Sequence, residues 1–243
     1  MANERPDPMT PTGAPPAEPR RALLLGATGL TGGHLLRLLL SPESGYRQVI
    51  APARRPLDSS DPRLTTVALD LADPAALAPY VAVDDVFCCL GTTIKKAGSQ
   101  AAFRHVDHDL PLAAARAARA AGAQRYLLVS AVGADAKSRI FYNRVKGELE
   151  DALSALGFPG GVDIARPSLL LGDRGESRPA ERAASFLMSA AAPLFRGGLR
   201  RYQAIPAASV AAALYHAARR PPAPGRRVYE GEPLFTLAEG HNP

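Results

Sequence analysis

Residues 22–32 read Ala22-Leu-Leu-Leu-Gly-Ala-Thr-Gly-Leu-Thr-Gly32. The apolar run 22–25 leads into three glycines, Gly26, Gly29 and Gly32, and an apolar helical stretch, 34–40, follows at once. That order is a buried strand, a tight loop and a helix start. Glycine permits positive φ and lets the main chain approach a ligand closely. The free N–H groups and positive dipole end of the helix then face an anion, here the pyrophosphate of a dinucleotide. The spacing is Gly-x-x-Gly-x-x-Gly, not the Gly-x-Gly-x-x-Gly of the commonest dinucleotide fingerprint. The flanking strand and helix therefore carry the reading as much as the glycines do. The alternative is a plain strand–helix turn.

Outward from this loop, apolar runs alternate with helical patterns. Strands are expected at 22–26, 48–52, 64–69, 85–90, 125–130 and 162–166, with helices at 31–40, 74–80, 107–121 and 141–156. Apolar strands separated by helices imply a doubly wound parallel sheet, an α/β fold covered on both faces. Gly122 and Gly157 fall just past two of the helices, where C-terminal glycine caps belong. From about residue 168 the pattern loosens. A helix at 182–194, a short strand at 202–205, a helix at 207–218 and a short strand at 227–230 leave room for a small C-terminal substrate lobe.

Composition sets outer bounds. At 243 residues and 47% hydrophobic, the chain can bury one large core, so residues 21–243 read as a single domain. Residues 1–20 carry Pro6, Pro8, Pro11, Pro15, Pro16 and Pro19 and read as a disordered, proline-rich tail. The tail has no apolar stretch and so is not a secretory signal, and no run approaches membrane-spanning length. A cytoplasmic protein with no membrane partner is the expectation. Cys88 and Cys89 are adjacent in an apolar run, which suits a buried strand in a reducing compartment rather than a disulfide framework. The five histidines show no metal spacing with Cys, Asp or Glu, and no metal is expected. The net charge of +6 reflects abundant arginine. No nucleic-acid motif accompanies it, so nucleic acid is not an expected partner.

In open α/β sheets ligands sit beyond the carboxyl ends of the strands. After the second strand come Arg54 and Arg55. Arginine offers a planar donor fork to a 2′-phosphate, which favours NADPH over NADH. The alternative is two solvated loop arginines. Asp70 ends the third strand, where it either reaches an adenine amino group or caps the helix after Asp73. Gly91 and Thr92 end the fourth, leaving room for the cofactor. Ser130 ends the fifth. Tyr142 and Lys146, spaced i,i+4, share a helix face. An ammonium beside a phenol favours the phenolate, and such a phenol exchanges a proton with a carbonyl or alcohol oxygen. The Ser130 hydroxyl would hold the same oxygen. The alternative for the pair is an amphipathic surface.

At this point the chain resembles a family. The glycine loop, Ser130 and Tyr142-Asn-Arg-Val-Lys146 resemble the atypical or extended short-chain dehydrogenase/reductase superfamily. Several strings are similar to its Tat-interacting protein group: Phe87-Cys-Cys-Leu-Gly-Thr-Thr93, Phe103-Arg-His-Val-Asp107, Tyr142-Asn-Arg-Val-Lys-Gly-Glu148, Arg166-Pro-Ser-Leu-Leu-Leu-Gly172 and Asp173-Arg-Gly-Glu-Ser-Arg-Pro179. The resemblance implies a Rossmann-like fold binding NADPH. Gly26, Gly29 and Gly32 would face the pyrophosphate, with Thr28 and Leu30 along the same loop. Arg54 and Arg55 would take the 2′-phosphate, Pro167 would back the nicotinamide, and Ser130, Tyr142 and Lys146 would form the active-site set. The chain departs from the pattern at His105-Val-Asp-His-Asp109, where many members carry an asparagine. Asp107 either substitutes for it or is a helix N-cap or first-turn acid.

Three functions use these parts. The first is a carbonyl reductase in which the nicotinamide carries the hydride, Tyr142 the proton, and a small molecule is the substrate. The second is an NADPH-binding regulatory or scaffold protein without turnover. The third is an epimerase or dehydratase that keeps its nicotinamide, for which little chain remains to build a sugar-nucleotide lobe. A homodimer is compatible with these parts, and Arg174 and Arg178 either bind an acidic group or tie their loop to Glu176 or Glu181.

Overall fold

The computed structural model describes residues 19–53, 57, 59–172 and 197–243. The first strand, β1 (Arg20–Leu25), is followed by helix α1 (Leu30–Leu39), β2 (Tyr46–Pro52) and β3 (Leu64–Val67). A short helix α2 (Pro74–Leu77) leads to β4 (Asp85–Cys88). Two more short helices, α3 (Ile94–Ala97) and α4 (Gln100–Arg104), precede a π-helical turn at His105–Asp109 and helix α5 (Leu110–Ala120). Strand β5 (Arg125–Val129), helix α6 (Phe141–Ala155) and β6 (Val162–Arg166) come next. Beyond them lie β7 (Leu170–Leu171), β8 (Ile205–Pro206), α7 (Ala207–Arg219), β9 (Arg226–Glu230) and α8 (Glu232–Ala238).

Seven strands form one parallel sheet in the order β3-β2-β1-β4-β5-β6-β9. It is the Rossmann-like doubly wound sheet expected from the alternating pattern. Side chains alternate between two cores. Ala22, Leu24, Phe87 and Leu127 point to the layer of α1 and α7. Leu23, Leu25, Val86, Cys88 and Leu128 point to the layer of α5 and α6. Because both faces are covered, the strands are apolar throughout rather than alternating. The chain runs outward from β1 to β3, then returns across β1 to β4. The crevice at the carboxyl ends of β1 and β4 is therefore the topological switch point where such sheets take ligands.

Strand β9 was legible as a short strand in the loosely patterned last third. It is in fact the seventh strand of the main sheet, parallel to β6. Among the described residues, β7 and β8 form a separate two-stranded piece. Helix α8 and the short helices α3 and α4 left no usable period in the sequence. The helix expected at 107–121 is the last part of a longer helical run through α4, the π turn and α5, which begins at Gln100 because Ser99 caps it there by accepting the Ala102 N–H. The helix expected at 182–194 and the Arg174–Pro179 string lie outside the described residues.

The opposite, amino-terminal edge is tied by charge. Asp85, buried at the start of β4, accepts from Arg20 at 2.7 Å, from the Tyr46 hydroxyl at 2.5 Å and from Arg125 at 3.2 Å. These are the first residues of β1, β2 and β5, so one carboxylate pins four strands. Burial pushes the Asp85 carboxyl up, against the pull of the two guanidinium groups. Removing one member of a buried pair costs about 3–5 kcal/mol because its partner stays buried and unpaired. Asp85→Ala is accordingly expected to lower stability by that order in denaturant unfolding, with no effect on residues at the far edge of the sheet.

Candidate cofactor and proton-transfer site

The glycine loop closes by contact. Gly26 is left-handed (φ 83°), and a Cβ there would lie 2.7 Å from the Cys89 carbonyl oxygen. Gly32 has ordinary helical placement, yet a Cβ would lie 2.1 Å from the Gly26 carbonyl oxygen. Gly26 is thus glycine for its backbone angle and Gly32 for the approach of α1 to β1. Gly29 is the N-cap residue of α1, donating its own N–H to Gly26 at 2.9 Å. No side chain caps α1 and no acid stands in its first turn. The N–H groups of Leu30, Thr31 and Gly32 consequently have no partner within the helix. Thr28 and Gly29 are exposed at this end, and Leu30 packs on Gly172, whose Cβ would come within 2.7 Å of it. A glycine collar under unsatisfied N–H groups fits a dinucleotide pyrophosphate.

Arg54 and Arg55 lie outside the described residues. Asp70 is exposed and accepts the Ala72 N–H at 2.9 Å, turning the chain after β3. The capping of α2 falls instead to Asp73, which accepts the Ala75 N–H at 2.9 Å. Gly91 and Thr92 follow β4 at the switch-point crevice. Pro167 is buried after β6, and its carbonyl accepts the Val132 N–H at 2.9 Å, joining the loops after β5 and β6.

Tyr142 and Lys146 project from the first turns of α6. The Tyr142 ring packs against the buried Phe103 ring at 5.4 Å, which anchors it to α4. A Cβ on Gly147 would lie 2.2 Å from the Ala136 nitrogen, so α6 sits directly on the loop after β5. Lys146 is 4% exposed. Burial alone would push its ammonium down, but the neighbouring Asp107 and Tyr142 oxygens outweigh this and hold it up. The pair is therefore not an amphipathic surface stripe.

Two findings depart from the sequence reading. Asp107 is neither an N-cap nor a first-turn surface acid. It sits in the π turn, 1% exposed, with Oδ1 2.8 Å from Lys146 Nζ and Oδ2 accepting the Thr92 N–H at 2.9 Å. The contact to Lys146 is an ion pair off good hydrogen-bond alignment, so Oδ1 has no aligned donor. Ser130, in turn, donates its hydroxyl to Glu150 Oε1 at 2.5 Å. Glu150 is fully buried and is also gripped by Arg166 through two hydrogen bonds, 3.0 and 2.5 Å. Arg166 reaches Glu230 at 3.5 Å. Glu150 did not stand out in the sequence, and Arg166 entered only as the first residue of a family string. Glu150 does lie four residues beyond Lys146 and eight beyond Tyr142, the spacing of one helix face.

An open parallel sheet with a glycine collar at its switch point is the architecture of a dinucleotide-binding protein. Comparison with known proteins agrees. Residues 26–156 match the family described as NAD(P)H-binding. Protein fmp52, mitochondrial, of Emericella nidulans is 42% identical over 173 residues, covering 69% of this chain and 74% of that protein. Protein HTATIP2 of Rattus norvegicus is 37% identical over 166 residues, 67% of each. The chain belongs to this NAD(P)H-binding family.

Solved structures share the fold. DesIV, a dTDP-glucose 4,6-dehydratase from Streptomyces venezuelae with NAD and TYD bound, superposes with a TM-score of 0.64 at 18% identity, covering 86% of this chain and 74% of that one. MoeE5 in complex with UDP-glucuronic acid and NAD gives 0.62 at 20%, covering 87% and 76%. The fmp52 relatives carry a mitochondrial designation, which overturns the cytoplasmic expectation. That expectation rested on the lack of an apolar stretch. Mitochondrial targeting segments are amphipathic and arginine-rich rather than apolar, so the criterion did not bear on them.

The two helical glycines separate cleanly by experiment. Gly32→Ala is expected to abolish dinucleotide binding or soluble folding, because main chain must move. Gly33→Ala meets only the Ala27 carbonyl oxygen, at 3.7 Å. It should raise the thermal midpoint, since alanine gains about 1 kcal/mol over glycine inside a helix.

Proposed function

We propose that this chain is an NADPH-dependent reductase of carbonyl compounds. The observation that carries the reading is the buried Lys146 ammonium, held charged beside Tyr142 at the switch-point crevice. The loop of Gly26, Thr28, Gly29, Leu30 and Gly32 would hold the pyrophosphate, and Gly91, Thr92 and Pro167 would border the nicotinamide. When bound, the dihydronicotinamide supplies hydride. Tyr142 would hand its phenolic proton to the carbonyl oxygen, and the Lys146 ammonium would stabilise the phenolate left behind. Arg54 and Arg55 come one residue after β2 in the sequence, where a 2′-phosphate would meet a guanidinium fork.

A second reading is favoured by one observation. The Ser130 hydroxyl is engaged by Glu150, so it is not free to steady a substrate oxygen as the sequence suggested. A protein that binds NADPH and responds to it without turnover needs the loop and the arginines but no Ser130 hydroxyl.

Tyr142→Phe is expected to reduce NADPH oxidation with an aldehyde or ketone by about 100-fold or more, the scale of a general acid, while NADPH affinity stays within a few-fold. Surviving turnover would refute the proton role. Tight NADPH binding by the wild type without turnover across a broad carbonyl panel would establish the second reading. Arg54→Glu should weaken NADPH binding by roughly 10–100-fold, as loss of a charge-assisted hydrogen bond does, and leave NADH unchanged. An unaltered cofactor preference would overturn the assignment to NADPH.

A further inference from the structure

Among the described residues five large apolar side chains are exposed, and four of them stand at the carboxyl end of the sheet. Ile94 opens α3 after β4, Ile140 ends the loop after β5, Leu169 follows β6, and Tyr202 closes the turn before β8. Ile140 is 62% and Leu169 51% exposed. The fifth, Val228, is on the edge strand β9. Scattered singly, such residues are normal on a protein surface. Grouped at the end where this fold takes ligands, they need a reason.

Contacts draw these segments together. Strands β4, β5 and β6 are neighbours in the sheet, about 4.8 Å apart, so their loops emerge side by side. The Val132 N–H donates to the Pro167 carbonyl at 2.9 Å and joins the loops after β5 and β6. The Ile205 N–H donates to the Leu169 carbonyl at 3.0 Å, and the Ser168 hydroxyl donates to the Gln203 carbonyl, which brings the Tyr202 turn to the loop after β6. Ile94 is two residues past Thr92, Ile140 two before Tyr142 and Leu169 two past Pro167. The apolar side chains thus border the groups assigned above to the nicotinamide end of the site.

The short polar side chains among them are engaged within their own loops. Thr93 accepts the Lys96 N–H at 3.1 Å, Ser138 accepts the Ile140 N–H at 3.1 Å, and Ser168 is held by Gln203. A site that reads a polyol needs polar groups aimed at the ligand. Here the polar groups shape the loops, and the exposed surface between them is apolar. Cations do stand nearby, Lys95 and Lys96 beside Ile94 and Arg139 beside Ile140, so phosphorylated sugars are the competing ligands.

We propose that Ile94, Ile140, Leu169 and Tyr202 form the rim of the substrate site, and that the substrate is a ketone or aldehyde with apolar substituents rather than a sugar nucleotide or sugar phosphate. The inference rests on the reading of the chain as a carbonyl reductase and names the substrate class of that same site. The reacting carbonyl sits in the crevice beside Tyr142, and the substituents leave it across the rim. Each methylene that the rim removes from water strengthens binding by up to about fourfold.

The test is calorimetric titration of the NADP⁺-loaded protein, which cannot reduce its ligand, with straight-chain methyl ketones from 2-butanone to 2-octanone. Affinity is expected to rise by about two- to fourfold per methylene, and 2-octanone to bind more tightly than UDP-glucose or dihydroxyacetone phosphate. Ile140→Asn and Leu169→Asn should each flatten that rise to less than about twofold per methylene. A wild-type affinity that does not grow with chain length overturns the proposal, as does tighter binding of either phosphorylated sugar. So does a rise that persists in both variants, or failure of both to fold, which would make the two residues structural. Self-association of the wild type that Ile140→Asn abolishes, with no dependence on ketone length, would make the rim an interface between copies and overturn the proposal too. If the wild type with NADPH reduces these ketones, kcat/KM should climb with chain length in the same way. If it reduces no carbonyl compound, the reductase reading fails, while the calorimetric series still decides what the rim holds.

Discussion

Helix α1 approaches the end of β1 so closely that no side chain fits between them. A methyl group at Gly32 would sit 2.1 Å from the Gly26 carbonyl oxygen. That constraint brings the unsatisfied N–H groups of α1 directly over the carboxyl end of β1. It also sets the spacing of the α1 and α7 layer on one face of the sheet, where Leu35, Leu39, Val210 and Leu214 pack with Leu24. A wider loop would leave room for side chains but would carry the helix terminus away from any anion held there.

The sheet carries buried charge at both ends of its strands. At the amino-terminal edge, Asp85 ties Arg20, Tyr46 and Arg125, and Asp163 ties Arg227 and Tyr229. These clusters lie where α/β proteins do not bind ligands. At the carboxyl edge, Lys146 with Asp107 and Ser130 with Glu150 and Arg166 converge on the crevice. The two edges use the same chemistry, buried carboxylates satisfied by cations and hydroxyls. Only position along the strand tells them apart.

Helix α6 is the element on which the two carboxyl-edge networks meet. Tyr142, Lys146 and Glu150 recur every four residues along it. The helix is seated by the close contact of Gly147 with the loop after β5 and by the Phe103 ring beneath Tyr142. The family match and the fold likenesses speak to dinucleotide binding. The chemistry of this face is what distinguishes an oxidoreductase from a sensor built on the same sheet.

The sequence alone determined the parallel sheet, the glycine collar and the i,i+4 pairing of Tyr142 with Lys146. Each follows from local rules: apolar runs without alternation, glycines between a strand and a helix, and the 3.6-residue turn. It did not determine that Asp107 pairs with Lys146, since 39 positions (146 − 107) separate them and a π turn aims the carboxylate inward. Nor did it show that Ser130 is held by Glu150 and Arg166, or that β9 completes the main sheet. Those are contacts between elements distant in the chain. Only the packing of α6 against β5, β6 and the π turn decides which polar group meets which, because a buried charge must find its partner across the fold rather than along it.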